Sequence, residues 1–233
     1  MARYSRFETQ GVEHLLHGEP GIVVGYHGRP HALDYFYLCA FMHDRWGTFP
    51  KAIVRASLRR IPIARELMRQ AGVYYEGPDE SEIARLRERR EHLYVCPGGL
   101  REGLRPFWRD RYRVSWGERR GYIRLAARHG LPIYPCAAIG VDEAYLGLVD
   151  GYALGKRLGV SIVPLWLAFG LGGLWPFALP FPVRITQRIG APIDLESLRA
   201  RAASEEAFER EAHELVQSRV QNILDELRSQ RVR

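Results

Sequence analysis

The sequence predicts a single α/β domain in which a mixed, largely parallel β-sheet is flanked by helices. Short apolar runs of β type alternate along the chain with helical segments, as in folds whose strands are joined by helical crossovers. The chain has 233 residues, 46% hydrophobic and 26% charged, which is enough to bury one large core. We therefore interpret residues 1–233 as one domain.

The first half of the chain is predicted to start with a helix at 7–17, which Gly18-Glu19-Pro20 ends. A strand at 21–25 follows. Residues 34–45 form a predicted helix. The segment at 33–42 is apolar on every face, so it should be buried or lie against lipid. The remaining elements are strands at 52–54 and 72–75 and, between them, a helix at 64–71.

The second half continues the alternation. A charged helix at 81–91 precedes a strand at 92–96, and a helix at 121–129 precedes the long apolar strand at 131–139. Residues 183–189 alternate in polarity, as a half-buried strand does. The last predicted element is a charged amphipathic helix at 203–231.

Residues 158–183 contain no charged side chain, a length sufficient to span a bilayer. Four prolines and a Gly-Leu-Gly-Gly cluster interrupt the segment, which argues against a regular transmembrane helix. We expect a strand followed by an apolar surface loop. Its aromatic residues would dip into a membrane interface, line an acyl pocket or fill the core.

The chain is basic, with a net charge of +7 and a pI near 9.5. This charge favours an anionic partner: nucleic acid, an acidic membrane or a phosphate-bearing substrate. Because the only lysines are Lys51 and Lys156, a compositional bias towards arginine explains the charge equally well. Nucleic-acid binding has no support beyond charge, so no nucleic-acid partner is predicted.

Cys39, Cys96 and Cys136 are odd in number, widely spaced and set in apolar surroundings. They are typical of reduced thiols in a cytosolic protein and not of a disulfide framework. The first ten residues lack an apolar core, so no signal peptide is predicted. The expected location is therefore the cytoplasm.

The polar turn between the strand at 21–25 and the helix at 34–45 carries His27, His31 and Asp34. Residues of such a turn lie at the carboxyl edge of an α/β sheet, where these folds bind their ligands. A histidine followed by an aspartate supplies a general base and a group that orients it. From these residues alone either histidine is the base, and Asp34 is also explained by the positive end of a helix.

A second candidate turn follows the strand at 92–96 and comprises Pro97-Gly98-Gly99-Leu100-Arg101-Glu102. Two glycines after a strand permit a tight turn and close approach of the backbone to a ligand. The arginine offers a fork of donors for phosphate or carboxylate. By itself such a turn is more often structural than functional.

Other chemistries have weaker support in the sequence. There is no Gly-x-Ser-x-Gly segment for a serine hydrolase, and the apolar neighbours of Cys96 favour an inert thiol. The pairs His14/His17 and His27/His31 lack a third ligand of suitable spacing, so no metal site is predicted.

Several short blocks follow one another along residues 12–195: Gly25-Tyr26-His27-Gly28 with Asp34-Tyr35-Phe36-Tyr37, Pro97 to Glu102, Trp116-Gly117-Glu118-Arg119-Arg120-Gly121-Tyr122, Leu131-Pro132-Ile133-Tyr134-Pro135, Leu179-Pro180-Phe181-Pro182-Val183-Arg184-Ile185 and Gly190-Ala191-Pro192-Ile193. In order and spacing they resemble the lysophospholipid and glycerolipid acyltransferase superfamily. The most similar branch is diacylglycerol acyltransferase-like and includes bacterial and transmembrane-protein-68-like members. The resemblance implies a glycerol-3-phosphate acyltransferase-like fold.

The resemblance also implies a reaction: transfer of a fatty acyl group from acyl-CoA to a lipid hydroxyl, on a lysophospholipid or on a mono- or diacylglycerol. His27 would be the general base and Asp34 its orienting partner, with Gly28 near the oxyanion. No cofactor is implied beyond acyl-CoA as co-substrate. Pro97, Gly98 and Gly99, with the charged residues Arg101, Glu102 and Arg119, would contribute to substrate binding.

One feature departs from the family pattern. Six residues separate His27 from Asp34, whereas most members have four and the most similar branch has five. We prefer His27 to His31 because it carries the Tyr-His-Gly context and directly follows the strand. The acceptor stays open, since Arg101 suits a phosphate whereas the Pro-Gly-Gly turn with Glu102 resembles the branch that acylates neutral glycerides.

The alternative to an enzyme is a catalytically inactive peripheral lipid-binding protein of the same fold, which the long His–Asp spacing supports. In either case we expect peripheral attachment to the cytoplasmic membrane through residues 163–181 and basic patches. Acyl chain length, donor and oligomeric state are left open by the sequence.

Overall fold

The computed structural model describes residues 4–29, 32–54, 65–66, 72–75, 77–159, 166–167 and 179–232. The strands are β1 (Glu8–Gln10), β2 (Ile22–Gly25), β3 (Lys51–Val54), β4 (Tyr74–Tyr75), β5 (Leu93–Val95), β6 (Ile133–Ile139), β7 (Leu146–Gly147), β8 (Trp166–Leu167) and β9 (Thr186–Ile189). The helices are α1 (Glu13–His17), α2 (Leu33–Trp46), α3 (Glu80–Glu88), α4 (Gly99–Gly103), α5 (Gly121–His129), α6 (Gly151–Arg157), α7 (Glu196–Arg199) and α8 (Glu205–Val232).

Seven strands form one sheet in the order β1-β9-β6-β2-β5-β3-β4, and β7 pairs with β8 in a separate antiparallel ribbon. Among the described strands of the large sheet, β6 and β9 pair antiparallel and the other neighbours pair in parallel. The predicted fold class, a mixed and largely parallel sheet flanked by helices, is confirmed. The prediction that residues 1–233 are a single domain stays a prediction.

Strand β2 lies at the centre of this sheet, hydrogen-bonded to β5 on one side and β6 on the other. All of its residues are buried, as are all seven of β6. This burial explains why both segments are continuous apolar runs, because a central parallel strand is covered on both faces. The chain leaving β2 therefore emerges at the middle of the carboxyl edge.

Helix α8 covers β6 with an apolar stripe that recurs every three or four residues. Its fully buried members are Phe208, Ala212, Val216, Val220, Leu224 and Leu227. The intervening positions are mostly polar or charged, which accounts for the amphipathic pattern of the sequence. The predicted C-terminal helix is confirmed.

The predicted helix at 7–17 is wrong in its first part. Glu8–Gln10 form strand β1, which pairs in parallel with β9, and only Glu13–His17 are helical. At Gly11 the chain turns with φ +71, and a Cβ there would lie 2.0 Å from the carbonyl oxygen of Ile189. Pairing with a strand that is distant in sequence thus overrides the local helical pattern.

Some predictions fall on residues that the structure does not describe. They include His31, most of the helix at 64–71 and most of the apolar segment at 158–183. Within the described ranges, none of the helices combines the length and apolar character that crossing a bilayer requires.

Candidate active site

Three strand ends converge at the carboxyl edge of the sheet. His27 lies two residues beyond β2, Cys96 and Pro97 follow β5, and Asp142 follows β6. These strands are neighbours in the sheet, so the segments that leave them are also neighbours. This edge is where open α/β sheets bind their ligands.

The imidazole of His27 is held by the chain's own backbone. Its Nδ1 atom lies 2.9 Å from the carbonyl oxygen of Gly28. A carbonyl only accepts hydrogen bonds, so this contact places the proton on Nδ1 and leaves the lone pair on Nε2. His27 is partly exposed, and its Nε2 is therefore the atom suited to accept a proton from a substrate.

The pKa of His27 is lowered from its usual value. Burial is the main cause, and the nearby charge of Arg105 acts in the same direction. The hydrogen bond to Gly28 opposes the shift but is weaker. His27 is consequently neutral at pH 7, which is the state that a general base requires.

Asp34 occupies a buried position at the second residue of α2. One carboxylate oxygen accepts from the hydroxyl of Tyr94 at 3.2 Å and from the amide of Gln187 at 3.4 Å. The other oxygen, Oδ1, is buried without a hydrogen-bond partner. Burial raises the pKa of Asp34 to about 6, and the bond from Tyr94 limits the increase.

The predicted hydrogen bond between His27 and Asp34 is absent among the described residues. The ring of His27 bonds to Gly28, whereas the carboxylate of Asp34 is turned into the sheet towards Tyr94 on β5 and Gln187 on β9. The carbonyl of Gly28 thus performs the orienting task that the sequence assigned to Asp34. The catalytic role of Asp34 stays a prediction.

Glu102 binds the backbone of the protein itself, and its predicted contact with substrate stays a prediction. Its side chain is fully buried, and its two oxygens accept from the backbone N–H of His27 at 2.9 Å and of Ser115 at 2.8 Å. Burial raises the pKa of Glu102 to about 7, against the effect of these bonds and of Arg105. Glu102 therefore fixes the turn that carries His27.

The Pro-Gly-Gly turn is also built from internal contacts. The Nη1 atom of Arg119 donates to the carbonyl oxygens of Pro97 and Gly98, both at 2.8 Å. Gly98 lies against Glu102, where a Cβ would come 2.1 Å from Oε2, and Gly99 adopts φ +52. These contacts give Arg119 a structural role, and its predicted contact with substrate stays a prediction.

The remaining predicted residues lie around this turn. Gly28 is buried against Val141, whose side chain would be 2.6 Å from an added Cβ. Arg101 lies on α4 with its side chain exposed. The predicted substrate contacts of Gly28 and Arg101 stay predictions.

Sequence reasoning missed a buried polar cluster behind the turn. Arg29 is fully buried, donates to the carbonyl oxygens of Pro106 and Arg109, and lies 3.7 Å from Asp142. Asp142 also accepts from the hydroxyl of Tyr26 at 2.8 Å. The sequence carries one signal of this cluster, because Arg29 and Asp142 each follow an apolar strand. It does not reveal that these strands, β2 and β6, are adjacent in the sheet.

Comparison with known proteins shows the family to which the chain belongs. A family model described as Acyltransferase matches residues 6–139. The chain belongs to the acyltransferase family. The predicted superfamily is thereby confirmed.

Curated relatives support the same assignment. An uncharacterized protein of Mycobacterium tuberculosis is 30% identical over 191 residues, which are 81% of this chain and 52% of the relative. A Gallus gallus protein named DGAT1/2-independent enzyme synthesizing storage lipids is 30% identical over 187 residues, 76% of this chain and 51% of its own length. The acyltransferase chain thus spans about half the length of these relatives.

A solved structure shares the fold. The crystal structure of the 1-acyl-sn-glycerophosphate acyltransferase PlsC from Thermotoga maritima has a TM-score of 0.54 and 17% sequence identity. The match covers 97% of this acyltransferase chain and 73% of that chain. At this identity the likeness establishes the fold alone.

Proposed function

We propose that this acyltransferase moves a fatty acyl group from an acyl thioester, acyl-CoA, to a lipid hydroxyl. The observation that carries the proposal is His27. It lies at the carboxyl edge of the central strand, neutral, with Nδ1 bonded to the Gly28 carbonyl and Nε2 suited to accept a proton. Family membership supplies the class of reaction for which such a base is suited.

In the proposed reaction, Nε2 of His27 takes the proton of the acceptor hydroxyl as its oxygen attacks the thioester carbonyl carbon. A C–O bond forms, and backbone N–H groups near Gly28 and at the start of α2 stabilise the negative charge on the carbonyl oxygen. The C–S bond then breaks, and the departing thiolate takes the proton from His27. Neither an acyl-enzyme nor a metal or other cofactor takes part.

Asp34 is proposed to stabilise the imidazolium that forms during the reaction. Its unpartnered Oδ1 is an open acceptor, and catalytic hydrogen bonds often form only in the substrate complex. A buried carboxyl with a raised pKa and no cation bonded to it is typical of functional sites.

The decisive test is acyl transfer by purified His27→Ala, with His31→Ala as the matched control. We expect His27→Ala to reduce kcat/KM at least about 100-fold, since a positioned general base contributes on this order. His31→Ala should keep most of the activity. Labelled acyl-CoA with a panel of lysophospholipids, mono- and diacylglycerols and long-chain alcohols gives the measurement. Loss in His31→Ala but not in His27→Ala would contradict the assignment.

One observation favours the alternative of an inactive lipid-binding protein: the missing His27–Asp34 hydrogen bond. The same panel separates the two functions. Turnover that disappears in His27→Ala excludes the inactive alternative, whereas lipid binding without turnover by the wild type excludes the enzyme.

The acceptor is proposed to be a glycerolipid, either phosphorylated or neutral. The storage-lipid relatives favour a neutral glyceride, whereas exposed Arg101 suits a phosphate. If Arg101 binds acceptor phosphate, Arg101→Ala should raise KM for a lysophospholipid about tenfold and leave KM for acyl-CoA unchanged. Equal increases in both KM values would reject this role.

The proposed partners are acyl-CoA, the acceptor lipid and a membrane surface, with no nucleic acid. Peripheral association on the cytoplasmic side is proposed because the acceptor is a lipid and the chain has a net charge of +7.

A further inference from the structure

We propose that Asp142 is a positioning residue for His27, which it holds through the side chains of Tyr26 and Arg29. These two residues lie on either side of the His27–Gly28 pair in the sequence, and both side chains reach the same carboxylate. The Oδ2 atom of Asp142 accepts from the hydroxyl of Tyr26 at 2.8 Å and lies 3.7 Å from Nη2 of Arg29. This role deepens the proposed function and rests on it, because the position of His27 matters only if this base takes a proton from the acceptor.

The carboxylate of Asp142 is itself held by elements other than the turn that carries His27. Asp142 is the third residue beyond β6, whose seven residues are all buried and which pairs with β2. Tyr112 fixes this connection at two points. Its hydroxyl accepts from the N–H of Gly140 at 2.7 Å, and its own N–H donates to Oδ2 of Asp142 at 3.2 Å. The carboxylate is therefore a fixed point in the core.

A second contact decides the direction of the hydrogen bond between Tyr26 and Asp142. The Nη2 atom of Arg105 donates to the hydroxyl oxygen of Tyr26 at 2.8 Å. A guanidinium only donates, so the hydroxyl accepts from Arg105 and its single proton is directed to Asp142. Tyr26 is fully buried, so water does not compete for these bonds. The side chain of Tyr26 is therefore held between a cation and a carboxylate.

Arg29 provides the anchor on the other side of His27. Its guanidinium lies beside Asp142 and donates to two backbone carbonyl oxygens, at 2.9 and 2.5 Å. Between the two anchors, the carbonyl oxygen of Gly28 lies 2.9 Å from Nδ1 of His27 and accepts its proton. Because the chain is fixed before and after this carbonyl, Asp142 sets where the carbonyl points and hence where Nε2 lies. A misplacement of about 1 Å, even when its cause is remote from the chemistry, can lower a rate about 100-fold.

Stability alone does not explain this buried ion pair. Arg29 and Asp142 are fully buried, and among the described residues Nε of Arg29 and Oδ1 of Asp142 have no hydrogen-bond partner. A buried ion pair with unsatisfied atoms contributes little to stability, and apolar residues of similar volume in its place are often neutral or stabilising. The pair instead gives the turn a defined geometry.

The kinetic test uses Tyr26→Phe, Asp142→Ala and the double variant, with Tyr122→Phe as the matched control. Tyr122 is also a buried tyrosine, but its hydroxyl lies 3.1 Å from Nδ1 of His213 on α8. With acyl-CoA and the preferred acceptor lipid, Tyr26→Phe should lower kcat about tenfold and Asp142→Ala about 100-fold, with both KM values within about twofold of the wild type. The double variant should stay within about threefold of Asp142→Ala, because Asp142 acts through Tyr26 and the two effects are not independent. Tyr122→Phe should keep the wild-type kcat.

A spectroscopic measurement reports on His27 without turnover. Nitrogen-15 NMR of the full chain, labelled at histidine and held at about pH 8 where histidine is neutral, distinguishes a ring protonated at Nδ1 from one protonated at Nε2. The His27 signal is assigned by its absence in His27→Ala. The wild type should show the Nδ1 form alone, which the bond to Gly28 selects. Tyr26→Phe and Asp142→Ala should show both forms, whereas Tyr122→Phe should match the wild type.

Circular dichroism establishes that each variant is folded at the assay temperature. If Asp142→Ala is not folded, the comparison of Tyr26→Phe with Tyr122→Phe decides alone. A wild-type kcat and tautomer in Tyr26→Phe would overturn the proposal. So would effects of the two single substitutions that multiply in the double variant, or a raised KM with unchanged kcat. Absence of turnover in the wild type would reject the proposed function, whereas the tautomer of His27 still tests the role of Asp142.

Discussion

Asp34 and Glu102 are buried carboxyl groups on either side of the turn that carries His27, and each has a raised pKa. Burial raises the pKa of Asp34 to about 6 and that of Glu102 to about 7. Among the described residues, neither has an arginine, lysine or histidine side chain in a salt bridge with it. Such groups destabilise the fold at neutral pH, so a functional reason for them is expected.

We expect Asp34→Asn to be more stable and less active than the wild type. Removing a charge whose pKa is raised from 3.8 to about 6 should stabilise the protein at pH 7 by about 3 kcal/mol and increase Tm by about 9 °C. Loss of support for the imidazolium should lower kcat about 100-fold. Thermal unfolding and acyl-transfer kinetics give the two measurements.

Measurement at low pH provides a control for the stability of Asp34→Asn. At pH 4 the folded wild type carries a protonated Asp34, so the difference in Tm should nearly vanish. An Asp34→Asn variant with wild-type kcat would show that the carbonyl of Gly28 orients His27 without help from the carboxylate.

Helix α8 is the secondary-structure element that covers the centre of the sheet. The buried stripe of α8 packs on β6, and β6 is adjacent to β2 in the sheet. Through β6 the helix therefore supports the strand that leads to His27. The contrast with β1 is informative. The long helix carries a repeated apolar pattern, whereas Glu8–Gln10 is a three-residue strand whose structure depends on β9.

We expect Leu224→Ala to lower the free energy of unfolding by about 3 kcal/mol, because its side chain is fully buried and the substitution leaves a cavity. Arg219→Ala, at an exposed position of the same helix, is the matched control and should change stability by less than about 0.5 kcal/mol. Urea unfolding measures both. Similar losses in the two variants would contradict the proposed packing role of the buried stripe.

At the scale of the molecule, buried carboxyl groups and buried histidines have opposite effects on how the stability of the fold depends on pH. Because the pKa values of Asp34 and Glu102 are raised, these groups stabilise the folded state at low pH. This contribution to the free energy of unfolding is lost as the pH rises through about 6 and 7. Burial lowers the pKa of His27, His92 and His213. Their contribution to the free energy of unfolding is therefore present above about pH 6.5 and is lost on acidification. The two effects have opposite slopes between pH 5 and 6.5.

We therefore expect the wild-type Tm to change little between about pH 5 and 6.5. In the double variant Asp34→Asn/Glu102→Gln the histidine contribution is opposed by fewer buried carboxyl groups, chiefly Asp142, whose pKa burial also raises. The Tm of the double variant should therefore rise more steeply with pH across this interval than that of the wild type. Differential scanning calorimetry at half-unit steps measures both profiles. Parallel profiles for the two proteins would show that the carboxyl groups do not have the shifted pKa values given above.

Much of this architecture could be predicted from the sequence. The alternation of apolar strands and helices predicts the α/β class, and the apolar runs at 21–25 and 131–139 become two buried central strands. The Tyr-His-Gly block places His27 at the end of β2, where the structure has it. These predictions succeed because periodicity and turn chemistry are local properties, which neighbouring residues determine.

Only the tertiary structure decided how the side chains of the turn are used. Asp34 bonds to Tyr94 and Gln187, and Glu102 holds the backbone of His27, because strands distant in the sequence are adjacent in the sheet. The sequence by itself determined the fold class and the family, and it predicted that His27 follows the central strand. The structure decided which groups surround that histidine, since burial and hydrogen bonding depend on long-range packing that no local pattern encodes.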